Sequence, residues 1–231
     1  MIVIRVFRAV DELETCRKFV EGHMKILKVY GITMITSANT EWFDDPDTFV
    51  IIAEEQETGK VLGGARVQRA GGVYPLPIEK AVTEIDDRIH QVVKEYSIDG
   101  TGELCGLWNS REIAGMGIGS VYLTRVAVSI APQIKIKSLF ALCAAYTVSM
   151  AQNAGFVITT FLGNNGTFYY PKEDLTATGM YNPDTTRLEF ASEDEKREII
   201  SLRKTPYQIS KQIGRRGEYD LCFDLEIKIS Q

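Results

Sequence analysis

Apolar positions along the first hundred residues switch between two periods. Residues 2–7 (IVIRVF) alternate as a short strand does, and from Asp11 onward Leu13, Cys16, Val20, Met24 and Leu27 recur at helical spacing. A strand followed by a helix is therefore predicted. Residues 49–53 and 61–67 are β-rich runs joined by a polar stretch containing Thr58-Gly59, the pattern of an antiparallel hairpin. Tyr74-Pro75-Leu76-Pro77 breaks the sheet, after which Ile85, Ile89, Val92, Val93 and Tyr96 place one apolar stripe on a helix over 83–96.

Further along, polar positions thin out. Two apolar runs, 103–108 and 121–128, flank the glycine-rich segment AGMGIGS at 114–120, and the β-branched Val121, Thr124, Val126 and Val128 predict that the second run is a strand like the first. Residues 138–153 are apolar nearly all round (Leu139, Phe140, Leu142, Cys143, Tyr146, Val148, Met150), which predicts a buried helix. A strand over 156–162, just past Gly155, would complete a right-handed βαβ unit from 121 to 162. Ser192 with Glu195 three residues on has the spacing of a capping box and opens a charged helix over 192–203, and residues 218–229 alternate as a closing strand. No shift in composition marks a linker, so one α/β domain over 1–231 is expected.

Composition narrows the functional classes. The chain has 231 residues, 45% hydrophobic and 25% charged, the make-up of an ordinary globular protein. Its net charge of −5 argues against nucleic acid as a partner, because phosphate neutralisation needs a concentrated basic face. The opening MIVIRVFRAVDELE meets Arg5, Arg8 and acids before a signal-peptide core could form, and no run of about 18 apolar residues follows, so a cytoplasmic protein without a membrane span is expected. Four cysteines and two histidines show no metal-ligand spacing; no metal is expected, and the thiols read as buried.

The element order and three local motifs resemble the GNAT (GCN5-related N-acetyltransferase) superfamily, which implies a mixed, mostly antiparallel central sheet with a βαβ crossover and flanking helices. Arg125-Val126-Ala127-Val128, then Gln133-Ile134-Lys135-Ile136-Lys137-Ser138, then Leu139-Phe140 is similar in frame to the superfamily's strand, Q/R-x-x-G-x-G/A loop and helix start, with both loop glycines replaced. Gly115-Met116-Gly117-Ile118-Gly119-Ser120 competes for the same role, since it resembles the G-x-G-I-G-S form of that loop; the β-branches after it favour the later loop. Leu62-Gly63-Gly64-Ala65-Arg66, Tyr74-Pro75-Leu76-Pro77-Ile78-Glu79 and Leu123-Thr124-Arg125 resemble the branch of acyl-homoserine-lactone and long-chain N-acyl amino acid synthases. In that branch an E-x-S-R-x-A-V strand carries a functional acid and an arginine; Arg125 matches the arginine, and Tyr122 stands where the acid would be.

The resemblance implies acetyl-CoA or another acyl-CoA as donor and the amine of a small molecule or amino acid as acceptor. Acyl carrier protein is the alternative donor, with Lys204, Lys211, Arg215 and Arg216 as a basic docking patch, and a non-catalytic binding protein is the alternative from another class. Under the later-loop alignment, Gln133, Lys135, Lys137 and Ser138 meet the pyrophosphate, the lysines offsetting the lost glycines, while Val126 and Val128 lend backbone groups to the pantetheine. Attack of an amine on a thioester needs a base and is helped by an acid. Glu103, at the start of a strand beside the expected cleft, is the candidate base, with Glu112 weaker; Tyr170, then Tyr169, is the candidate acid. Arg66, Arg125 and Asn164 are the candidate substrate-binding residues.

Overall fold

A computed structural model describes residues 1–32, 39–113, 116, 118–215 and 217–227. β1 (Ile2–Arg8) pairs antiparallel with β2 (Thr48–Glu55) and parallel with β10 (Gly217–Asp224). β2 turns back into β3 (Lys60–Arg69), and β3 pairs antiparallel with β4 (Thr101–Asn109). β4 then pairs parallel with β5 (Ser138–Ala144), the one parallel step on that side. Beyond β5 lies β8 (Thr176–Asn182), which carries the short β6 (Val157–Ile158) and β7 (Thr167–Tyr169); β9 (Tyr207–Gly214) closes the other edge against β10. The sheet runs β6-β8-β5-β4-β3-β2-β1-β10-β9, with β7 paired to β8.

Alternation on β2 shows why both faces need cover. Phe49, Ile51 and Ala53 point into one core and Val50 and Ile52 into another. The first is covered by α4 (Ser120–Ile130) and α6 (Glu193–Lys204), and the second by α1 (Leu13–Val29), whose Cys16, Phe19 and Leu27 are buried. Farther along that second face, α2 (Pro77–Val82) and α3 (Arg88–Ser97) pack Ile78, Val82, Ile89 and Val93 against Phe140 of β5. The capping serine of α6 is as expected: Ser192 Oγ accepts from the Glu195 amide at 3.3 Å. Among the described residues no helix is long and apolar enough to cross a membrane, and no group of metal-ligating side chains is present.

Several expectations are corrected. Residues 121–128 form the body of α4, not a strand: every side chain from Leu123 to Ile130 is buried, so burial on all sides and Pro132 just past its end outweigh β-branched propensity. Residues 138–153 are not one helix but β5 followed by the short α5 (Val148–Asn153), since Leu139, Ala141 and Cys143 line one core while Phe140 and Leu142 face the other. The expected helix over 83–96 begins only at Arg88, as α3, with the separate α2 lying ahead of that stretch, and the strand over 156–162 shrinks to β6. A βαβ crossover is present, one element earlier than expected: it is β4, α4, β5. The expected closing strand stops at Asp224, and residues 228 and 229 of that stretch lie outside the described residues.

Arg125 belongs to this scaffold. Its Nε and Nη2 donate to Glu195 at 2.8 and 2.7 Å, Nη1 reaches Glu198, and the guanidinium carbon lies 4.9 Å from the Tyr122 ring centroid. This clamp joins α4 to α6, and the side chains of Arg125 and Glu195 are only 11% and 12% exposed. Arg125→Ala is expected to cost about 3 kcal/mol, because it strands a buried carboxylate, whereas Arg125→Leu with Glu195→Leu regains most of it. Urea midpoints at constant slope check this.

Candidate active site

Pairing between β4 and β5 runs from Thr101 and Ser138 to Leu104 and Ala141 and stops there, although β4 continues to Asn109 and β5 to Ala144. β5 stays bound to β8 as far as Ala144, so β4 and β5 part beyond Leu104 like the arms of a V. A register shift between Gly64 and Arg66 of β3 places a bulge in β4 at Gly106, whose φ of +60° suits glycine. Between the arms lies a cavity of about 510 Å³. Its walls are β4 from Glu103 to Trp108, β5 from Ala141 to Ala144, α1 through His23, Leu27 and Tyr30, and, from the opposite face of the sheet, Thr124 of α4 and Met150 of α5. Apolar side chains dominate.

Glu103 sits where the arms join and lines this cavity. It is 2% exposed, and its Oε2 accepts from the Ile78 amide at 2.6 Å. Burial pushes its carboxyl up to about 8, against the opposing pull of the Ile78 hydrogen bond and of Arg66, with Glu79 adding to the rise. Arg66 faces the same way from β3, opposite Cys105, with its Nε donating to Cys105 Sγ at 3.0 Å and its guanidinium carbon 4.7 Å from the Trp42 ring centroid. Arg66 is 1% exposed, makes no ion pair among the described residues, and leaves Nη1 enclosed without a partner. A second, water-sized cavity of about 10 Å³ lies beside it, lined also by Gln68, Tyr74 and Lys80.

At the open end of the V, β4 leads through 110–119 into the first turn of α4. Asn109 Nδ2 donates to Ser120 Oγ at 2.6 Å, and Gly119 precedes the helix in extended conformation. The first turn of α4 therefore begins at the end of the cleft from which β4 emerges. This is the position of AGMGIGS, of which Ala114, Gly115 and Gly117 lie outside the described residues. The later-loop alignment loses its geometric basis. Val126 and Val128 are buried inside α4, where helical bonding occupies their amides. Gln133, Lys135 and Lys137 lie on the connection from the far end of α4 to β5, beside the paired end of the strands: Gln133 bonds the Leu225 carbonyl and the Ile227 amide, and Lys137 pairs with Asp99 at 2.8 Å. Ser138 is buried, donating to Thr101 Oγ1. The junction where a strand meets a helix lies one element earlier, between β4 and α4.

The other candidates fall as follows. Tyr170 lines the cavity, whereas Tyr169 is 70% exposed. Glu112 is exposed and pairs with Lys60 at 2.6 Å, and Asn164 is an exposed turn residue whose backbone bonds Thr167. Lys204 and Arg215 are exposed, Lys211 pairs with Glu218, and Arg216 lies outside the described residues. Sequence reasoning gave no role to His23 and Trp108, which line the cavity; a lone histidine on an amphipathic helix carries no pattern that marks it.

No protein-family model matches the chain, and no curated protein matches its sequence. Solved structures do match. FeeM, an N-acyl amino acid synthase from uncultured soil microbes, is 12% identical with a TM-score of 0.63, over 85% of this chain and 97% of its own. An acyl-CoA N-acyltransferase from Pseudomonas aeruginosa is 14% identical with a TM-score of 0.53, over 78% and 98%. BjaI, a CoA-dependent acyl-homoserine lactone synthase, is 13% identical with a TM-score of 0.52, over 100% and 95%. At these identities the likeness defines the fold, and the fold is that of GNAT-type N-acyltransferases.

Proposed function

We propose that the protein is an N-acyltransferase that moves an acyl group from acyl-CoA to the amine of a small acceptor carrying a carboxylate. The observation that carries this reading is the apolar cavity of about 510 Å³ opened where β4 and β5 part, with a buried carboxyl of raised pKa at its closed end. Such a cavity suits an acyl chain, and the strand edge of β4 beyond Leu104, together with the free amides opening α4, suits the pantetheine and pyrophosphate of CoA. The folds of an acyl-CoA N-acyltransferase and a CoA-dependent synthase are consistent with that donor.

Each residue's task follows from its place. Bound acyl-CoA supplies an electrophilic carbonyl and a thiolate leaving group. Glu103, as carboxylate, takes a proton from the acceptor ammonium and passes it to solvent; the amine nitrogen bonds to the carbonyl carbon and gives its second proton to the freed carboxylate, the carbon–sulfur bond breaks, and the departing sulfur takes a proton from Tyr170, which recovers it from solvent. Arg66 gives the acceptor its character: among the described residues its buried guanidinium forms no ion pair and leaves Nη1 without a partner, and an incoming carboxylate would remove that cost. Arg66 and Glu103 lie on one face of adjacent strands, Arg66 opposite Cys105 and Glu103 opposite Gln68, so an α-amino acid would present its two charges to them.

The test is thioester-dependent release of free CoA, with acetyl- to long-chain acyl-CoA crossed against amino acids and their decarboxylated amines. Turnover that requires both amine and carboxylate supports the reading; absence of turnover and of thermal stabilisation by any acyl-CoA sinks it. Lys135→Ala with Lys137→Ala is expected to leave CoA affinity unchanged by calorimetry, since both residues lie at the paired end of the strands; a large loss would return the pyrophosphate to that loop.

A further inference from the structure

α1 lies unusually close to β4. A side chain at Gly22 would meet the Trp108 ring at 2.1 Å, so glycine there lets the helix backbone rest on the indole. The next residue, His23, is thereby set over the bulge: its Cε1 is 3.9 Å from the place a Gly106 Cβ would occupy. Two glycines thus bring an imidazole down onto the stretch of β4 that has lost its β5 partner. His23 is 4% exposed, packs edge-on against Phe19 and lines the large cavity. Nδ1 is enclosed without a partner and neither nitrogen makes a hydrogen bond among the described residues, which leaves Nε2 as the nitrogen available to the cavity that His23 lines.

We propose that His23 is a catalytic residue of the acyl transfer, donating its Nε2–H to the thioester carbonyl oxygen and holding that oxygen as it becomes an oxyanion. The inference rests on the acyl-CoA reading above. A lone hydrogen-bonding group in an apolar wall is unsatisfied until a ligand brings its partner, and a donor aimed at the developing charge acts more strongly there than in water. Burial, and then the nearby Arg66 charge, hold the imidazole down at about 4, so the ring is neutral at ordinary pH and needs no proton to serve as donor. Glu103 handles the ammonium proton; His23 serves the carbonyl, and the two duties do not compete.

Two measurements decide the matter. In turnover, His23→Leu is expected to lose about 10²-fold in kcat with KM for acyl-CoA nearly unchanged, while His23→Gln, which keeps a donor, recovers much of the loss. Equal kcat in wild type and both variants overturns the proposal. The second measurement uses wild-type protein labelled with 15N-histidine and needs no variant to fold. An unreactive ketone analogue of acyl-CoA, with CH₂ in place of sulfur, is expected to shift the His23 Nε2–H resonance, and the matching thioether without a carbonyl is not. If backbone amides move with both analogues and the imidazole with neither, His23 has no part and the acyltransferase reading stands. If neither analogue binds and no donor is turned over, that reading itself fails and this inference with it.

Discussion

Glu103→Gln is expected to lower kcat by about 10²–10⁴-fold while acyl-CoA affinity stays nearly constant, because the amide keeps the size and the acceptor oxygen facing Ile78 but has no basicity. The pH profile separates this from a packing effect. With the carboxyl at about 8, the wild-type rate should rise with pH through that value and level off above it, and the Gln variant should lack the step. Stability moves the other way. The folded carboxyl titrates above its ordinary 4.5, so the native state binds this proton more tightly than the unfolded chain; its contribution is complete below about 4.5 and is lost as pH rises through about 8. On the order of 4 kcal/mol is at stake across that window. The Gln variant should therefore be the more stable protein at the alkaline end, measured by urea unfolding, and the less active one. A wild-type stability that stays flat there would mean that Glu103 ionises as it does in water.

The second large effect concerns chain length. If the cavity holds the acyl group, each methylene added to the donor should tighten binding by up to about 0.8 kcal/mol, nearly fourfold, until the space is filled. Six added methylenes would separate acetyl from octanoyl donors by about 5 kcal/mol at full burial. Cys143 lines the cavity from β5, and burial pushes its thiol up to about 11, so it serves as a small apolar filler and not as a nucleophile. Cys143→Phe should end the ladder several carbons earlier and leave acetyl transfer largely intact. Calorimetry across a donor series reads this directly, and an unshifted ladder would place the acyl chain elsewhere. The effect of His23→Leu should be the same at every length, because the carbonyl does not move as the chain grows.

Where polar residues or a turn punctuate an element, its sequence was sufficient. β1 alternates, α1 repeats its apolar positions at helical spacing, β2 and β3 form the expected hairpin, and Ser192 caps α6 as its spacing with Glu195 required. Glu103 was singled out as an acid at the start of a strand, and that strand is β4. The resemblance in residues 114–120 also fell on the segment that leads into α4.

The tertiary structure alone decided the middle of the chain. From Leu123 to Ile130 and from Ser138 to Ala141 every side chain is buried, the polar Thr124, Arg125, Ser129 and Ser138 included, so polar residues do not mark a solvent face and the pattern does not separate helix from strand. Local preference then pointed the wrong way twice: β-branched residues form α4 because a helix is what spans from β4 back to the start of a parallel β5, and Leu- and Ala-rich residues form β5 because β4 and β8 offer it partners on both sides. That exchange put Val126 and Val128 inside a helix and left Lys135 and Lys137 beside the paired end of β4 and β5. It also moved Arg125 from a substrate site to a clamp on Glu195. The cavity, the raised carboxyl and the placing of His23 over Gly106 each depend on groups far apart in sequence, and a pattern read along the chain holds no information about such distances.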